Sequence, residues 1–482
     1  PDGSAIVFVG ALHDSRDFDN ALSVMVIDVS ADTESAKKRY LIRTIVEPTG
    51  PTAFPTWSPD GKSVAFAGHL YPLDTGRHTR IWVAPVAGGR RHLVVDPLDR
   101  NVSVSQSSGV IWADGGNSLL FTLEDDGSTI LVKAPCPGPD DQLTSDPIQI
   151  IAGGQREITS FAFSVASSTI VITVSDTGMP TALHRLRGVV DGWDETVLRN
   201  PNALWHARMR LGAVHRRTVP RPHGQITVWV LLPPGADAAP NGSIPVLVNI
   251  HGGPHAQYGD RFFDEFAIYT GAGYAVIFTN PLGSTGKSEA FTRSVRGNWG
   301  AGDAEDVLAA VDAAIASTPC LDVDRMGLMG GSYGGYLTSW IVTHDHRFRA
   351  ACSERAVNDF GSFAGTSDIG FWFAEAQLGR SPLDDPALAA RHSPLTYAAE
   401  IRTPVLIIHA EEDYRCPIEQ AERLFVALAR RGHPVRFVRV PDADHELSRS
   451  GRPRQRIERF RHILEWFGQY LHPRPVGEAC RV

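Results

Sequence analysis

The segment Gly330-Gly331-Ser332-Tyr333-Gly334 places a serine between glycines, directly after a predicted strand and before a predicted helix. This combination strongly limits the folds that the chain can adopt. The apolar run at residues 325–329 predicts a strand before the motif, and residues 336–342 predict a helix after it. A serine at the apex of such a turn has a strained backbone, and side chains beside it would collide with both elements. The sequence therefore predicts a nucleophile elbow that lifts the Ser332 hydroxyl above a parallel sheet. An ordinary tight turn is the alternative.

Two later strand ends carry the partners that a serine nucleophile needs. Residues 404–409 are typical of a buried parallel strand and precede Asp413, while residues 435–440 predict another strand, which leads to His445. A serine hydroxyl needs a histidine to take its proton and a carboxylate to orient that histidine. In α/β-hydrolases these residues follow in the order Ser, Asp, His. We therefore predict Ser332, Asp413 and His445 as the catalytic residues.

Each partner has a simpler interpretation. Asp413 could be a solvated loop acid or the cap of a helix at residues 418–431. Asp442 and Asp444 are alternative acids, but they lie too close to His445 in the sequence to come from a separate strand end. Histidine is usually a surface residue, so only its position after a strand supports His445.

A glycine-rich loop predicts where charge on a reacting carbonyl oxygen would be stabilised. Residues 246–250 predict a strand that runs into His251-Gly252-Gly253-Pro254. This loop resembles those that donate an oxyanion-hole N–H in esterases and peptidases. We assign the hole to the backbone N–H groups of Gly253 and Tyr333, with an ordinary glycine turn as the alternative.

The first 210 or so residues have a different pattern. Short apolar runs alternate with turns, and one motif recurs: a turn such as Asp2-Gly3, Asp60-Gly61 or Asp114-Gly115 precedes a strand, and Ser167-Ser168 repeats it loosely. Spacings of 50 to 60 residues suit four-stranded propeller blades, about four of them. An irregular β-sandwich is the alternative.

From about residue 212, strands alternate with helices, as a parallel sheet requires. We predict a β-propeller at residues 1–211 and an α/β-hydrolase domain at residues 212–482. Residues 226–232 are expected to form its first strand, residues 303–317 a long helix, and residues 454–471 a closing helix behind His445. Because the chain enters in the middle of a repeat, we also expect that the propeller is truncated at its N-terminus.

Composition excludes several classes of function. At 482 residues, with 43% hydrophobic and 21% charged residues, the chain is typical of a soluble protein of two domains. A net charge of -8 argues against nucleic-acid binding, and no apolar run has the length of a membrane span. The cysteines are odd in number and widely scattered in the sequence, which indicates a reducing compartment, so we expect a cytoplasmic location. They are Cys136, Cys320, Cys352, Cys416 and Cys480.

Two patterns suggest a bound group and are both weak. Gly286-Lys287-Ser288 resembles the end of a phosphate-binding loop, but Pro281 occupies the position of its first glycine. The histidine pairs His251/His255 and His344/His346 have no cysteine or carboxylate cluster to complete a metal site. We predict no cofactor and no metal.

Together with the repeats, these motifs make the chain resemble the prolyl oligopeptidase family of serine peptidases, most closely its acylaminoacyl-peptidase-like branch. Residues 353–359, 365–370 and 407–417 add to the resemblance. One departure is Leu282, which stands where the family often has arginine. The resemblance implies a propeller that restricts entry to short peptides. It also implies that Arg415 binds a substrate backbone carbonyl, for which a surface ion pair is the alternative.

The expected function is therefore hydrolysis of short peptides, with N-acylated peptides as one candidate class. We place the pocket for the P1 side chain near Phe371, Trp372 and Phe373, although such an aromatic run is often ordinary core. Three rivals stay open: a carboxylesterase, a dipeptidyl-peptidase-like enzyme and a non-catalytic propeller scaffold. No recognisable glutamate pair of the kind that dipeptidyl peptidases use was found. No nucleic-acid or membrane partner is expected, and a homo-oligomer is among the open oligomeric states.

Overall fold

The computed structural model describes residues 2–29, 41–94, 99–103, 109–136, 148–189 and 192–471. The chain forms two compact units. The first contains Pro1–Ala207 and the short segments Gly259–Phe262 and Thr285–Glu289, and the second contains Arg208–Tyr258, Phe263–Ser284 and the chain from Ala290 onward.

The first unit is built from four successive groups of mainly antiparallel strands. A single parallel bridge, between Thr129 and Glu157, joins the third and fourth groups into one nine-stranded sheet. The groups are β1 (Ala5–Gly10), β2 (Ser23–Asp28) and β3 (Ile42–Val46); β4 (Thr52–Trp57), β5 (Ser63–Gly68), β6 (Arg80–Pro85) and β7 (His92–Leu93); β8 (Val102–Ser103), β9 (Ile111–Ala113), β10 (Ser118–Asp125), β11 (Ser128–Pro135) and β12 (Gln149–Ala152); and β13 (Glu157–Ser164), β14 (Thr169–Ser175), β15 (Ala182–Val189) and β16 (Gly192–Arg199). A short helix, α1 (Ala203–His206), follows.

The recurring turns have a common geometry. Gly3, Gly61 and Gly115 have φ between 69° and 79°, the left-handed region that glycine adopts without steric cost. They precede β1, β5 and β10. The repeat in the sequence is therefore a repeat of one backbone turn.

Both faces of β5 are buried. In β5, Val64 and Phe66 belong to one apolar cluster, while Ala65 and Ala67 belong to another that also contains Phe121 of β10. Since alternate residues of a strand point to opposite faces, each group packs face to face with the next. This stacking is typical of propeller blades.

The second unit has one eight-stranded sheet in the order β17-β18-β20-β19-β21-β22-β23-β24, parallel from β20 onward. Its strands are β17 (Val214–Arg221), β18 (Gly224–Leu231), β19 (Ile244–Ile250), β20 (Ala275–Thr279), β21 (Leu321–Gly331), β22 (Ala350–Glu354), β23 (Val405–Ala410) and β24 (Val435–Val440). Its helices are α2 (Asp264–Gly271), α3 (Glu289–Arg293), α4 (Gly302–Ser317), α5 (Tyr333–His344), α6 (Phe360–Thr366), α7 (Gly370–Leu378), α8 (Pro386–Arg391), α9 (Glu419–Ala429), α10 (Leu447–Ser450) and α11 (Pro453–Leu471).

One expected element differs. The sheet begins with β17, so the strand predicted at residues 226–232 overlaps β18, which is the second strand of the unit along the chain. β17 carries His215, Arg216 and Arg217 and is half exposed at the sheet edge, so it lacks the apolar run on which the prediction depended.

Helices cover both faces of this sheet. Val246 and Val248 of β19 pack in one apolar core with α4, α5 and α9, and Leu247 between them packs in a second core with α2 and α11. This arrangement holds the carboxyl ends of β19, β21, β23 and β24 at one edge of the sheet, where functional loops of open α/β sheets lie. Among the described residues, no helix is long and apolar enough to cross a membrane.

Candidate active site

Ser332 lies between the last residue of β21 and the first residue of α5, with φ 63° and ψ -121°. A non-glycine residue with such a φ is strained and persists only where its surroundings enforce it. Here the surroundings are close backbone atoms. A Cβ on Gly334 would lie 2.1 Å from the Ile250 carbonyl oxygen, and one on Gly335 would lie 2.4 Å from the Glu354 carbonyl oxygen. The glycines are required because β19, β21 and β22 meet the start of α5 at van der Waals distance.

The structure brings the three predicted catalytic residues together. His445 Nε2 lies 3.1 Å from Ser332 Oγ, and His445 Nδ1 lies 2.7 Å from Asp413 Oδ2. Asp413 follows β23 and His445 follows β24, so adjacent parallel strands bring both side chains to the elbow. The competing acids lie elsewhere: Asp442 is exposed and pairs with Arg452, and Asp444 accepts a hydrogen bond from the Glu446 N–H.

The electrostatics favour a neutral imidazole beside an ionised carboxylate. Burial lowers the pKa of His445, and Arg355 and Arg449 lower it further against the opposing effect of Asp413. Burial acts to raise the pKa of Asp413, but hydrogen bonds from His409 and His445 outweigh it and hold that pKa well below its usual range. A neutral histidine can accept a proton, so this pair is suited to general-base chemistry.

Asp413 has further support that the sequence analysis missed. Its Oδ1 accepts a hydrogen bond of 2.8 Å from the Cys416 N–H. The fully buried His409 places Nε2 3.4 Å from Asp413 Oδ2 and donates to the Cys416 carbonyl oxygen at 2.6 Å. His409 is the penultimate residue of β23, and a polar residue at the end of the apolar run 404–408 was the signal by which it could have been found.

The predicted oxyanion donors have no acceptor in the part of the chain that the structure describes. Among the described residues, the N–H groups of Gly253 and Tyr333 make no hydrogen bond, as expected for donors directed at a ligand. The glycine loop lies against the elbow, since a Cβ on Gly252 would be 3.5 Å from Ser332 Cβ. His251 anchors this loop through a 2.9 Å hydrogen bond between its Nε2 and Ser284 Oγ.

Tyr333 is also held through its side chain, by residues that the sequence analysis did not identify. Its hydroxyl donates to Asp303 Oδ2 at 2.5 Å, and its ring packs edge-on against Trp299 with centroids 4.7 Å apart. Asp303 is buried and also accepts from the N–H groups of Gly300 and Ala304. These contacts fix the residue that carries one predicted oxyanion donor.

The three aromatic residues predicted for the P1 pocket occupy the first turn of α7, and they diverge. Phe373 packs against Phe363 and Trp299, with centroids 6.0 and 6.2 Å away. Trp372 contacts Phe373 edge-on, whereas Phe371 is 49% exposed. Phe373 therefore joins an aromatic cluster that extends through Trp299 to Tyr333.

Arg415 forms an ion pair with Asp368, through Nε at 2.8 Å and Nη2 at 3.3 Å. Both side chains are nearly half exposed. The loop that carries Arg415 is joined to the loop before α7, because the Asp368 N–H donates to the Tyr414 carbonyl oxygen at 2.9 Å. The ion pair proposed as the alternative for Arg415 is thus present, and Nη1 has no partner among the described residues.

No group of three or more His, Cys, Asp or Glu in the described part of the chain could hold a metal ion.

The chain has relatives among known peptidases. A family model of the prolyl oligopeptidase family matches residues 260–474. The chain is 35% identical over 403 residues to the uncharacterized peptidase YuxL of Bacillus subtilis, covering 82% of this chain and 59% of that protein. The chain belongs to the prolyl oligopeptidase family.

The family model includes Ser332, Asp413 and His445 but begins after Gly253. A further family relative, dipeptidyl-peptidase 5 of Porphyromonas gingivalis, is 27% identical over 430 residues, covering 88% of this chain and 60% of that protein. The chain thus spans about three fifths of the length of these two curated relatives.

A solved structure extends the match to both units. The acylaminoacyl peptidase of Pyrococcus horikoshii is 26% identical, with a TM-score of 0.82 over 99% of this chain and 71% of that one. The fold is therefore that of the prolyl oligopeptidase family: a β-propeller followed by an α/β-hydrolase domain.

Proposed function

We propose that this chain is a serine peptidase that hydrolyses short peptides through an acyl-enzyme intermediate. The observation that carries the proposal is the chain of contacts from Ser332 Oγ through the His445 imidazole to Asp413, at 3.1 and 2.7 Å. Membership of a peptidase family supports the substrate class.

In this mechanism Ser332 Oγ attacks the carbonyl carbon of the scissile bond, and its proton passes to His445 Nε2. The carbonyl oxygen becomes an oxyanion that accepts hydrogen bonds from the N–H groups of Gly253 and Tyr333. When the C–N bond breaks, His445 gives its proton to the leaving amine and the acyl group stays on Ser332. Water then attacks the ester with His445 again as base, which releases the acid and regenerates the serine. Asp413 orients the imidazole and stabilises its protonated form.

The substrate contacts are also part of the proposal. We assign the P1 pocket to the aromatic residues around Phe373, which would favour an aromatic or large apolar P1 side chain. Arg415 keeps Nη1 available beside its ion pair with Asp368, so it can donate to a substrate carbonyl. Phe371 and Trp372 would lie at the border of this pocket. The cytoplasmic location and the oligomeric state stay predictions.

Paired chromogenic substrates test the proposal. We would compare N-acetyl-phenylalanine anilide with free-amine dipeptidyl anilides, for the wild type and for Ser332→Ala. We expect cleavage of the acetylated anilide that disappears in the variant, and labelling of the wild type alone by a fluorophosphonate. A protein that cleaves para-nitrophenyl esters but neither class of anilide would be an esterase, and one that fails to label would not be a serine hydrolase.

The second candidate is a dipeptidyl peptidase, which the P. gingivalis relative favours by its name. The same assay separates the two. Preference for the free-amine dipeptidyl anilide by tenfold or more in kcat/KM would move the assignment to this candidate.

A further inference from the structure

A cavity of about 230 Å³ lies between the edge strand β24 and helix α11, apart from Ser332 and its partners. One water needs roughly 10–15 Å³ of such volume, so the cavity is large enough for several waters. It is smaller than the roughly 300 Å³ at which sites for drug-sized molecules begin, so a ligand that fits it must be smaller than a drug-sized molecule. Its mouth includes exposed residues, among them Arg454. The lining residues are Val438, Arg439, Val440, Pro441, Arg454, Gln455, Glu458, Arg459 and His462.

Three polar atoms of the lining side chains are buried and have no hydrogen-bond partner among the described residues: Arg459 Nη1, Gln455 Oε1 and His462 Nδ1. Arg459 is 3% exposed, and its other nitrogens pair with Glu354 and Glu265. A buried polar atom without a partner is costly, so native structures usually satisfy such atoms with water or a ligand.

The orientation of Gln455 is fixed. Its Nε2 donates to the carbonyl oxygens of Pro441 and Asp442, at 2.7 and 3.3 Å, so the amide cannot rotate by 180° without losing both bonds. Gln455 Oε1 therefore requires a donor, and Arg459 Nη1 requires an acceptor, from a ligand or from water.

The edge of the sheet adds one donor and one acceptor. In a parallel ladder the backbone groups of alternate residues point to the neighbouring strand, and the Glu411 N–H bonds to the Val440 carbonyl. By this alternation the N–H and C=O of Arg439 point away from β23. Val438 and Val440 supply apolar wall on the face toward α11.

We propose that this cavity binds a small molecule with an amide group and an aliphatic side chain, such as a capped amino acid. The amide carbonyl would accept from Arg459 Nη1, and amide N–H groups would donate to Gln455 Oε1 and to His462 Nδ1. The aliphatic group would contact Val438, Val440 and Pro441. A carboxylate fits less well because it has no donor for Gln455 Oε1.

The probe is N-acetyl-leucine amide, and the protein is the full chain after fluorophosphonate labelling of Ser332, so that the probe is neither cleaved nor bound at the nucleophile. Isothermal titration calorimetry should give a Kd of roughly 1 mM, the affinity expected of a ligand with about a dozen heavy atoms. Val438→Phe fills the cavity and should weaken binding at least tenfold.

Ile457→Phe is the matched control, since Ile457 lies on α11, is 66% exposed and does not line the cavity. It should leave the Kd unchanged. Retention of fluorophosphonate labelling by both variants before titration shows that they are folded. The absence of binding, or equal binding by Val438→Phe and the wild type, would overturn the proposal and assign the cavity to water. If the labelled Val438→Phe protein is unstable, His462→Leu replaces it. Loss of probe binding in His462→Leu, with binding retained in Ile457→Phe, would then support the proposal, and unchanged binding in His462→Leu would overturn it.

Discussion

Replacing Asp303 by asparagine should remove one source of pH dependence from the stability of the α/β-hydrolase domain. Burial raises the pKa of Asp303 to about 6, and hydrogen bonds from Tyr333 and from the N–H groups of Gly300 and Ala304 offset part of that effect. The ordinary value is 3.8. The folded protein therefore holds this proton more tightly than the unfolded chain, so the stability it contributes is present at low pH and is lost as pH rises through about 6.

The magnitude follows from these two pKa values. Between pH 8 and pH 5, protonation of Asp303 should add on the order of 1 kcal/mol to the free energy of unfolding, because pH 5 lies about one unit below the pKa of the folded state and above that of the unfolded chain. Asparagine binds no proton in this range and contributes nothing to that difference. Its Oδ1 can still accept from Tyr333 and Gly300, but its NH₂ faces the Ala304 N–H, which costs about 1 kcal/mol at any pH.

Urea unfolding of the wild type and Asp303→Asn at pH 5 and pH 8 measures this effect. The difference in unfolding free energy between the two proteins should be larger at pH 5 than at pH 8, by on the order of 1 kcal/mol. Asp312→Asn is the control, because Asp312 lies on the same helix with a side chain that is 66% exposed. A difference between wild type and Asp303→Asn that does not change with pH would refute the reasoning.

Three further predictions follow from the site. Gly334→Ala should destabilise the protein by about 3 kcal/mol or more, because the new Cβ would lie 2.1 Å from a carbonyl oxygen. Gly271→Ala is the control, since the space around its Cβ is open. Equal denaturation midpoints for the two variants would contradict this prediction. Burial lowers the pKa of His445, so the acid limb of the pH profile of kcat/KM should have its midpoint below 6.5. Because the charge of Arg449 also lowers this pKa, the midpoint should rise in Arg449→Gln. A wild-type midpoint above 6.5 would be inconsistent with the site. Arg415→Gln should raise the KM for peptidyl anilides about tenfold, because a charged hydrogen bond to the substrate is lost. Its effect on the KM for para-nitrophenyl acetate should be smaller. Equal effects on both substrates would show that Arg415 serves only its ion pair.

The sequence predicted those parts of the fold and site that depend on local pattern. A strand that ends in a short polar loop is defined by neighbouring residues in the sequence. The positions of Ser332, Asp413 and His445 after β21, β23 and β24 could therefore be predicted. The edge strand β17 was missed because an exposed strand has no apolar run.

Contacts between distant residues could not be predicted from that pattern. Asp303 and Tyr333 are 30 positions apart, and only the packing of α4 against the elbow brings them together. Phe371, Trp372 and Phe373 were treated as one group, but successive helix residues point about 100° apart, so their side chains have different exposures. Three consecutive aromatic residues in a sequence do not determine which of their rings faces the site.

Helix α11 connects the two halves of the catalytic arrangement. Gln455 holds the loop that carries His445, through the carbonyl oxygens of Pro441 and Asp442. One turn later, Arg459 pairs with the carboxylate of Glu354, whose backbone carbonyl accepts the Ser332 N–H at 3.0 Å. The base and the nucleophile are therefore supported by side chains four residues apart on one helix face, which is the spacing at which helical residues are neighbours. Because a rigid helix keeps those two supports at a fixed separation, it also helps to keep His445 Nε2 within hydrogen-bond distance of Ser332 Oγ, and the amphipathic C-terminal helix is part of the catalytic scaffold as well as the core.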